Sequence, residues 1–194
     1  MAQPPHVIVH IDGASRGNPG PAAYGVVMES ADGSRLAAFS GYLGKATNNV
    51  AEYQGLLAAL DCALSKRYLK VHVQTDSELL ALQIKGVYKV KNPGLKLLHE
   101  AAGRLIARFE SFSIEHVRRE QNREADRLAN LALDVAATEA SGRAGSRTAP
   151  ASPEPKSRPP LRASATFRNG VLEPHFQLSL LEGEVVDLEI HQKE

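Results

Sequence analysis

The sequence predicts an α/β fold, a mixed sheet with helices packed on its faces, and three observations predict it. Short β-branched runs are interspersed with longer segments whose apolar residues recur at helical spacing. Taken in order these segments read βββαβααβα, and strands mingled with helices in this way require a sheet covered by helices. Turn residues, Asp32-Gly33 among them, separate the early strands.

Residues 6–12 form a β-branched run ended by Gly13, with Val7, Val9 and Ile11 alternating with Ile8 and His10. Residues 24–29 and 35–43 read as two further strands, giving a three-stranded antiparallel start. From residue 50 to 66 the apolar positions Leu56, Leu57, Leu60, Ala63 and Leu64 fall at helical spacing, and 71–75 is again β-like. Residues 77–84 and 95–109 read as helices, the second with Leu95, Leu98, Ala102, Leu105 and Phe109 along one face. A last strand follows at 112–117, and Asn122 is placed to N-cap a helix reaching about residue 136.

The chain has 194 residues, 43% of them hydrophobic, with 23 Lys+Arg against 22 Asp+Glu. That is enough for one domain of ordinary size, about 100 to 150 residues, with an appendage. A formal net charge of +1 supplies no global attraction to nucleic acid, so any such binding must come from local placement of charge. Cys62 is the only cysteine, which excludes an internal disulfide and a zinc cage built on several thiolates. No stretch approaches the roughly 18 consecutive apolar residues of a membrane span, and no leader-like start is present, so a soluble cytoplasmic protein without membrane contact is expected.

Four carboxylates fall where carboxylates are costly. Asp12 ends the apolar first strand, Asp76 closes the strand at 71–75, and Glu52 lies in the first turn of a helix beginning near Val50. Glu52 shares a face with Leu56, Leu60 and Ala63; Asp126 lies in the first turn of the last helix, on the face continued by Ala129 and Leu133. Taken singly, each reads as a turn residue or a helix-terminus acid. Together, two strand ends and two helix starts can gather them at one sheet edge, where mutual repulsion raises their pKa values unless cations occupy the site. An all-oxygen donor set favours Mg²⁺ or Mn²⁺ over zinc. Two such ions about 3.5 to 4 Å apart can activate a water and stabilise the leaving oxygen of a phosphodiester.

The acids sit inside longer motifs. Ile11-Asp12-Gly13-Ala14-Ser15-Arg16-Gly17-Asn18-Pro19-Gly20, Thr47-Asn48-Asn49-Val50-Ala51-Glu52-Tyr53, Thr75-Asp76-Ser77 and Glu124-Ala125-Asp126-Arg127-Leu128-Ala129 occur in that order. Over residues 6–134 the chain resembles the type 1 ribonuclease H family. The resemblance implies a ribonuclease H-like fold, with a five-stranded mixed sheet flanked by helices, and metal-dependent hydrolysis of the RNA strand of RNA/DNA hybrids. It implies that Asp12, Glu52, Asp76 and Asp126 are the catalytic, metal-binding acids for two Mg²⁺ ions, with Mn²⁺ an alternative, and that the products carry 5′-phosphate and 3′-hydroxyl ends.

Only the RNA strand of a hybrid offers 2′-hydroxyls, which short polar groups and bare backbone can read. The family pattern assigns substrate contact to Gly13, Asn18, Asn48, Asn49 and Ser77, and a DNA-phosphate pocket to Thr47 and Lys45. Two departures are visible. Many relatives carry a histidine in the loop before the last acid; here that loop is Val117-Arg118-Arg119-Glu120-Gln121-Asn122-Arg123, which matches a histidine-free branch. Arg118, Arg119 and Glu120 are the candidates to assume part of its role, and His116 reads as structural. A Trp-bearing basic protrusion found in longer relatives is missing, with Lys85, Lys89, Lys91 and Lys96 remaining as a modest basic patch, so hybrid affinity is expected to be modest and strongly salt-dependent. Two other readings stay open on sequence grounds: a relaxed nuclease that also cuts RNA/RNA duplexes, and a non-catalytic hybrid-binding or interaction protein.

Composition divides the chain into a catalytic domain at 1–137, a flexible linker at 138–162 and a small β module at 163–194. The linker is rich in Ser, Gly, Pro and Arg, with no large apolar residue before Leu161, and cannot bury enough surface to offset ordering. In the module Asn169-Gly170 is a hairpin signal, a second turn is expected at 181–183 and a strand at 185–190. The module resembles small antitoxin-like β domains. A unit of this size is marginal alone, so self-association or a protein partner through 163–194 is expected.

Overall fold

The computed structural model describes residues 6–144, 165–168 and 171–174. The chain divides into two compact units, Met1–Thr148 and Ala149–Glu194. In the first unit the elements are β1 (His6–Ser15), β2 (Gly20–Ser30), β3 (Arg35–Ala46), α1 (Asn48–Ser65), β4 (Lys70–Thr75), α2 (Glu78–Ile84), α3 (Pro93–Ile106), β5 (Ser111–His116), a 3-10 turn (Arg119–Gln121) and α4 (Arg123–Ala144). This is the order read from the sequence. The sheet has five strands in the order β3-β2-β1-β4-β5, antiparallel from β1 through β3 and parallel from β1 through β5. The expected mixed sheet is therefore present.

Period-two patterning sorts each strand. Val7, Val9 and Ile11 of β1, Val26 and Met28 of β2, and Val71 and Val73 of β4 face Leu56, Leu60 and Ala63 of α1, Leu80 of α2 and Leu95 of α3 in one core. The alternate residues of β1 and β2 face α4, which packs across β1, β2 and β3 through Ala125, Ala129 and Leu133. Between β2 and β3, Gly33 takes φ +83° and Asp32 accepts from Ser30 Oγ and the Ser34 N–H, as the Asp-Gly pair predicts.

Several boundaries differ from expectation: β2 begins at Gly20 and not at 24, and β3 runs past 43 to Ala46, because each strand is paired along its whole length. Strand β1 runs on past Gly13 to Ser15 because β2 is long enough to pair it throughout, ending at Ser15↔Ala22. Helix α3 stops at Ile106, short of Phe109, although Phe109 still packs against the core. Helix α4 continues to Ala144, past the change in composition near residue 138, since Ala136, Ala137, Ala140 and Ala144 supply helix propensity there and no proline interrupts the run. Among the described residues no helix is long and apolar enough to cross a membrane.

In the second unit β6 (Ala165–Arg168) and β7 (Val171–Pro174) pair antiparallel, with Arg168 opposite Val171. That register fits the expected hairpin. The Asn169-Gly170 turn itself, the second turn and the strand at 185–190 lie outside the described residues.

Candidate active site

The parallel β1–β4 ladder ends at Ile11↔Thr75. The next residue on each chain segment is an aspartate, so Asp12 and Asp76 lie side by side just beyond the last parallel pair. Asp76 follows the end of β4, as predicted. Asp12 does not end its strand, because it pairs onward with Gly25 of β2; what it ends is the ladder with β4.

Two helices bring the other acids to this point, and two glycines let them approach. Thr47 caps α1, its Oγ1 accepting from the Val50 N–H at 3.3 Å, so the helix begins at Asn48. Glu52 is therefore the fifth residue of α1 and not in its first turn, and the helix dipole gives less support to its charge than the sequence suggested. A Cβ on Gly13 would lie 2.3 Å from the Glu52 backbone nitrogen; bare backbone is what allows α1 to lie against β1 there. On the other face a Cβ on Gly25 would lie 2.1 Å from the Ala125 carbonyl oxygen. Gly25 is the strand partner of Asp12, so the first turn of α4, with Asp126 next to Ala125, is seated beside Asp12.

The result is a cleft of about 390 Å³ lined by Asp12, Gly13, Ala14, Ser15, Asn48, Glu52, Asp76, Ser77, Arg119, Asp126 and Asn130. Asp12, Glu52 and Asp76 each offer a carboxylate oxygen within 4.8 Å of the others. Asp12 and Glu52 are both 4% exposed. Burial first, then a hydrogen bond from its own carboxyl to Asp76 and the charges of Asp76 and Asp126, push Asp12 up to about 8, against a small opposing pull from Arg119. Burial, then the charges of Asp12 and Asp76, also raise Glu52 well above the usual range, although the Gly13 N–H and the Asn48 side chain both hydrogen-bond to it. Glu52 Oε2 has no partner among the described residues. Three crowded carboxylates with an orphaned buried oxygen fit a divalent cation with oxygen preference.

These shifts carry a pH prediction for the metal-free protein. A carboxyl whose folded pKa is raised stabilises the fold fully below its ordinary 3.8 and loses that contribution as pH rises through about 8. Thermal melts in EDTA are expected to show Tm falling from about pH 5 to about pH 9, with added Mg²⁺ restoring it at the alkaline end. A metal-free Tm that is flat or rising across that range would contradict the crowding of Asp12, Glu52 and Asp76.

Asp126 stands slightly apart, outside the close trio, with Arg119 Nη2 donating to its Oδ1 at 2.5 Å. The guanidinium, held by that carboxylate, is itself raised further in pKa. Of the other predicted residues, Gly13, Asn48 and Ser77 line the cleft. Ser77 also caps α2, accepting from the Leu80 N–H. Asn18 lies on the β1–β2 loop, where its Oδ1 accepts from the Asn48 N–H at 3.2 Å and ties the loop to the start of α1. Thr47, Asn49 and Lys45 are not in the lining; Asn49 and Lys45 are exposed. Arg118 and Glu120 are exposed beside the 3-10 turn, and only Arg119 of the three reaches the cleft. His116, read as structural, ends β5 as an exposed residue.

Residues 10–132 match the family described as reverse transcriptase-like. Over 70% of the chain the fold matches the N-terminal RNase H domain of Rv2228c from Mycobacterium tuberculosis, at 46% identity and TM-score 0.68, covering 99% of that domain. The chain belongs to the ribonuclease H family. A second ribonuclease H structure, RNase H1 from the halophilic archaeon Halobacterium salinarum, matches at 43% identity and TM-score 0.66 over 67% of this chain and 98% of that one. LC11-RNase H1, solved in complex with RNA/DNA hybrid, matches at 42% identity and TM-score 0.64 over 68% of this chain and 99% of that one. The complete Rv2228c, described as a bifunctional protein, is 42% identical over 177 residues, 91% of this chain and 49% of its own length. The chain thus spans about half the length of this curated relative.

Ser15 and Asn130 line this ribonuclease H cleft without having been singled out from the sequence, and Asn122, outside the lining, plays a part beyond the cap expected of it. Asn130 donates through Nδ2 to the Asp126 carbonyl at 2.9 Å. Its position four residues after Asp126, one helical turn on, is a signal that could have found it. Asn122 was read as a side-chain cap. Its carbonyl does accept the first α4 bond, from the Asp126 N–H at 3.1 Å, but its side chain turns inward and donates to the Ile11 carbonyl and Asp76.

Proposed function

We propose that this chain hydrolyses the RNA strand of RNA/DNA hybrids with divalent cations, breaking the P–O3′ bond to leave 5′-phosphate and 3′-hydroxyl ends. The observation that carries this is the trio Asp12, Glu52 and Asp76, with carboxylate oxygens within 4.8 Å of one another in an open polar cleft. Likeness to LC11-RNase H1, solved in complex with RNA/DNA hybrid, supports the substrate. Two Mg²⁺ ions held by the trio and Asp126, with Mn²⁺ an alternative, would supply an activated water and charge relief at the departing 3′ oxygen.

The chain's own residues do the rest. Asp12 and Asp76, fixed beyond the same ladder end, set the spacing of the metal-binding oxygens, and Glu52 completes the trio from the opposite side. Arg119, held by Asp126 at the edge of the cleft, places a fixed positive group where a backbone phosphate would enter. Gly13 presents bare backbone, and Asn48 and Ser77 present short polar groups, in reach of 2′-hydroxyls. Exposed Lys85, Lys89, Lys91 and Lys96, around exposed Val87 and Tyr88, give the DNA strand a basic track.

The test is incubation of end-labelled RNA/DNA, RNA/RNA and single-stranded RNA of one sequence with Mg²⁺, Mn²⁺ or EDTA. Metal-dependent cutting of the hybrid's RNA strand supports the proposal. Equal cutting of RNA/RNA would replace it with the relaxed nuclease, and binding without cutting by folded protein would replace it with a hybrid-binding module.

A further inference from the structure

Asn122 is 1% exposed, between the 3-10 turn and α4. Its side-chain Nδ2 donates to the Ile11 carbonyl at 2.8 Å and to Asp76 Oδ1 at 3.1 Å. An amide NH₂ carries two hydrogens, so both are used. Its backbone carbonyl accepts from the Asp126 N–H. One residue is therefore bonded to the residue before Asp12, to Asp76 itself and to Asp126, although these come from three separate segments.

Folding alone does not account for an asparagine here. Its Oδ1 is buried with no partner among the described residues, a cost that an apolar residue of similar size would avoid. What the amide provides is a neutral donor to a carboxylate. A lysine or arginine in its place would neutralise Asp76 and compete with a cation, whereas an amide fixes the carboxylate and leaves its charge available.

The geometry points to Asn122 as a positioning residue for the metal site: it locks the Asp76 carboxylate against rotation and clamps it to the β1 backbone beside Asp12, so that the two acids present a preformed pair of oxygens to a divalent cation. This rests on the metal-binding role proposed above for Asp12, Glu52 and Asp76. Partners that hydrogen-bond ligating carboxylates commonly govern metal affinity by about 10- to 100-fold.

The test is calorimetric titration of Mn²⁺ into metal-free full-length protein without substrate, for wild type, Asn122→Ala and Leu133→Ala. Leu133 is a buried residue of α4, seven residues after Asp126 and outside the cleft lining, and its variant controls for lost stability. Asn122→Ala is expected to weaken Mn²⁺ binding by about tenfold or more. The Mn²⁺ concentration for half-maximal cleavage should rise equally, while kcat at saturating metal largely recovers and KM for the hybrid holds. Leu133→Ala should lower Tm while keeping wild-type Mn²⁺ affinity. Should Asn122→Ala fail to fold, Asn122→Leu, of similar size and without a donor, takes its place in the same titration. Unchanged Mn²⁺ affinity in the folded Asn122 variant, or an equal loss in Leu133→Ala, overturns this inference alone. A wild-type protein that binds no Mn²⁺ overturns the metal site and this inference together.

Discussion

Asp12→Asn is expected to lower hybrid cleavage by about a thousandfold or more while the protein stays folded. Losing one metal-binding carboxylate forfeits several kcal/mol of charge stabilisation in the transition state, and about 4 kcal/mol corresponds to about 10³ in rate. The same replacement relieves crowding in the metal-free state, because Asp12 is held up to about 8 by burial and by Asp76 and Asp126. The variant should therefore lose turnover yet melt no lower than wild type in EDTA at mildly alkaline pH, and its Tm should vary less with pH. Asp76→Asn should match it in activity. A cleavage assay beside a melt separates this from unfolding: an active Asp12→Asn or Asp76→Asn would overturn the site, and an inactive but unfolded one would say nothing special about chemistry.

Gly25→Ala is the second large effect. An added Cβ would meet the Ala125 carbonyl oxygen at 2.1 Å and the Ala129 nitrogen at 2.8 Å, both backbone atoms that cannot rotate away. Helix α4 must lift from β2, with a cost of about 1–3 kcal/mol or more from overpacking and a Tm lower by about 5 °C or more. Turnover should fall further than stability accounts for, because the turn that moves carries Asp126, the carboxylate that holds Arg119. Gly13→Ala is the paired experiment on the other face: its Cβ would meet the Glu52 and Ala51 backbone. Gly13→Ala should weaken Mn²⁺ binding to the close trio, whereas Gly25→Ala should spare it more. Wild-type Tm and turnover in Gly25→Ala would contradict the seating of α4 described above.

What the sequence made legible was periodic or local. Val7, Val9 and Ile11 announce a strand face, and Leu56, Leu60 and Ala63 a helix face, because period alone decides which residues share a side. The four acids were legible through their neighbours in sequence, since Asp12 and Asp76 end apolar runs. What stayed hidden depends on partners distant in sequence. That Asp12 lies within β1 follows from the length of β2. That Thr47 caps α1, moving Glu52 out of the first turn, turns on one hydroxyl among several adjacent polar residues. That Gly13 and Gly25 are contact points follows only from where Ala51, Glu52 and Ala125 come to rest. Asn122 has the residue type and position of a cap, and only the nearness of Ile11 and Asp76 turns its side chain inward.

The placement of the four acids also has a consequence in time. Asp12, Glu52, Asp76 and Asp126 are spread along the first unit, and the last rides on its final helix, seated against a strand made near the beginning. Chains are synthesised from the N-terminus, and domains fold as units. A nascent chain that has already emerged with β1, α1 and β4 still lacks Asp126, Arg119 and the Asn122 bridge. On the reading proposed above, the metal site is therefore incomplete for most of the synthesis of the first unit and is assembled only when α4 joins the sheet.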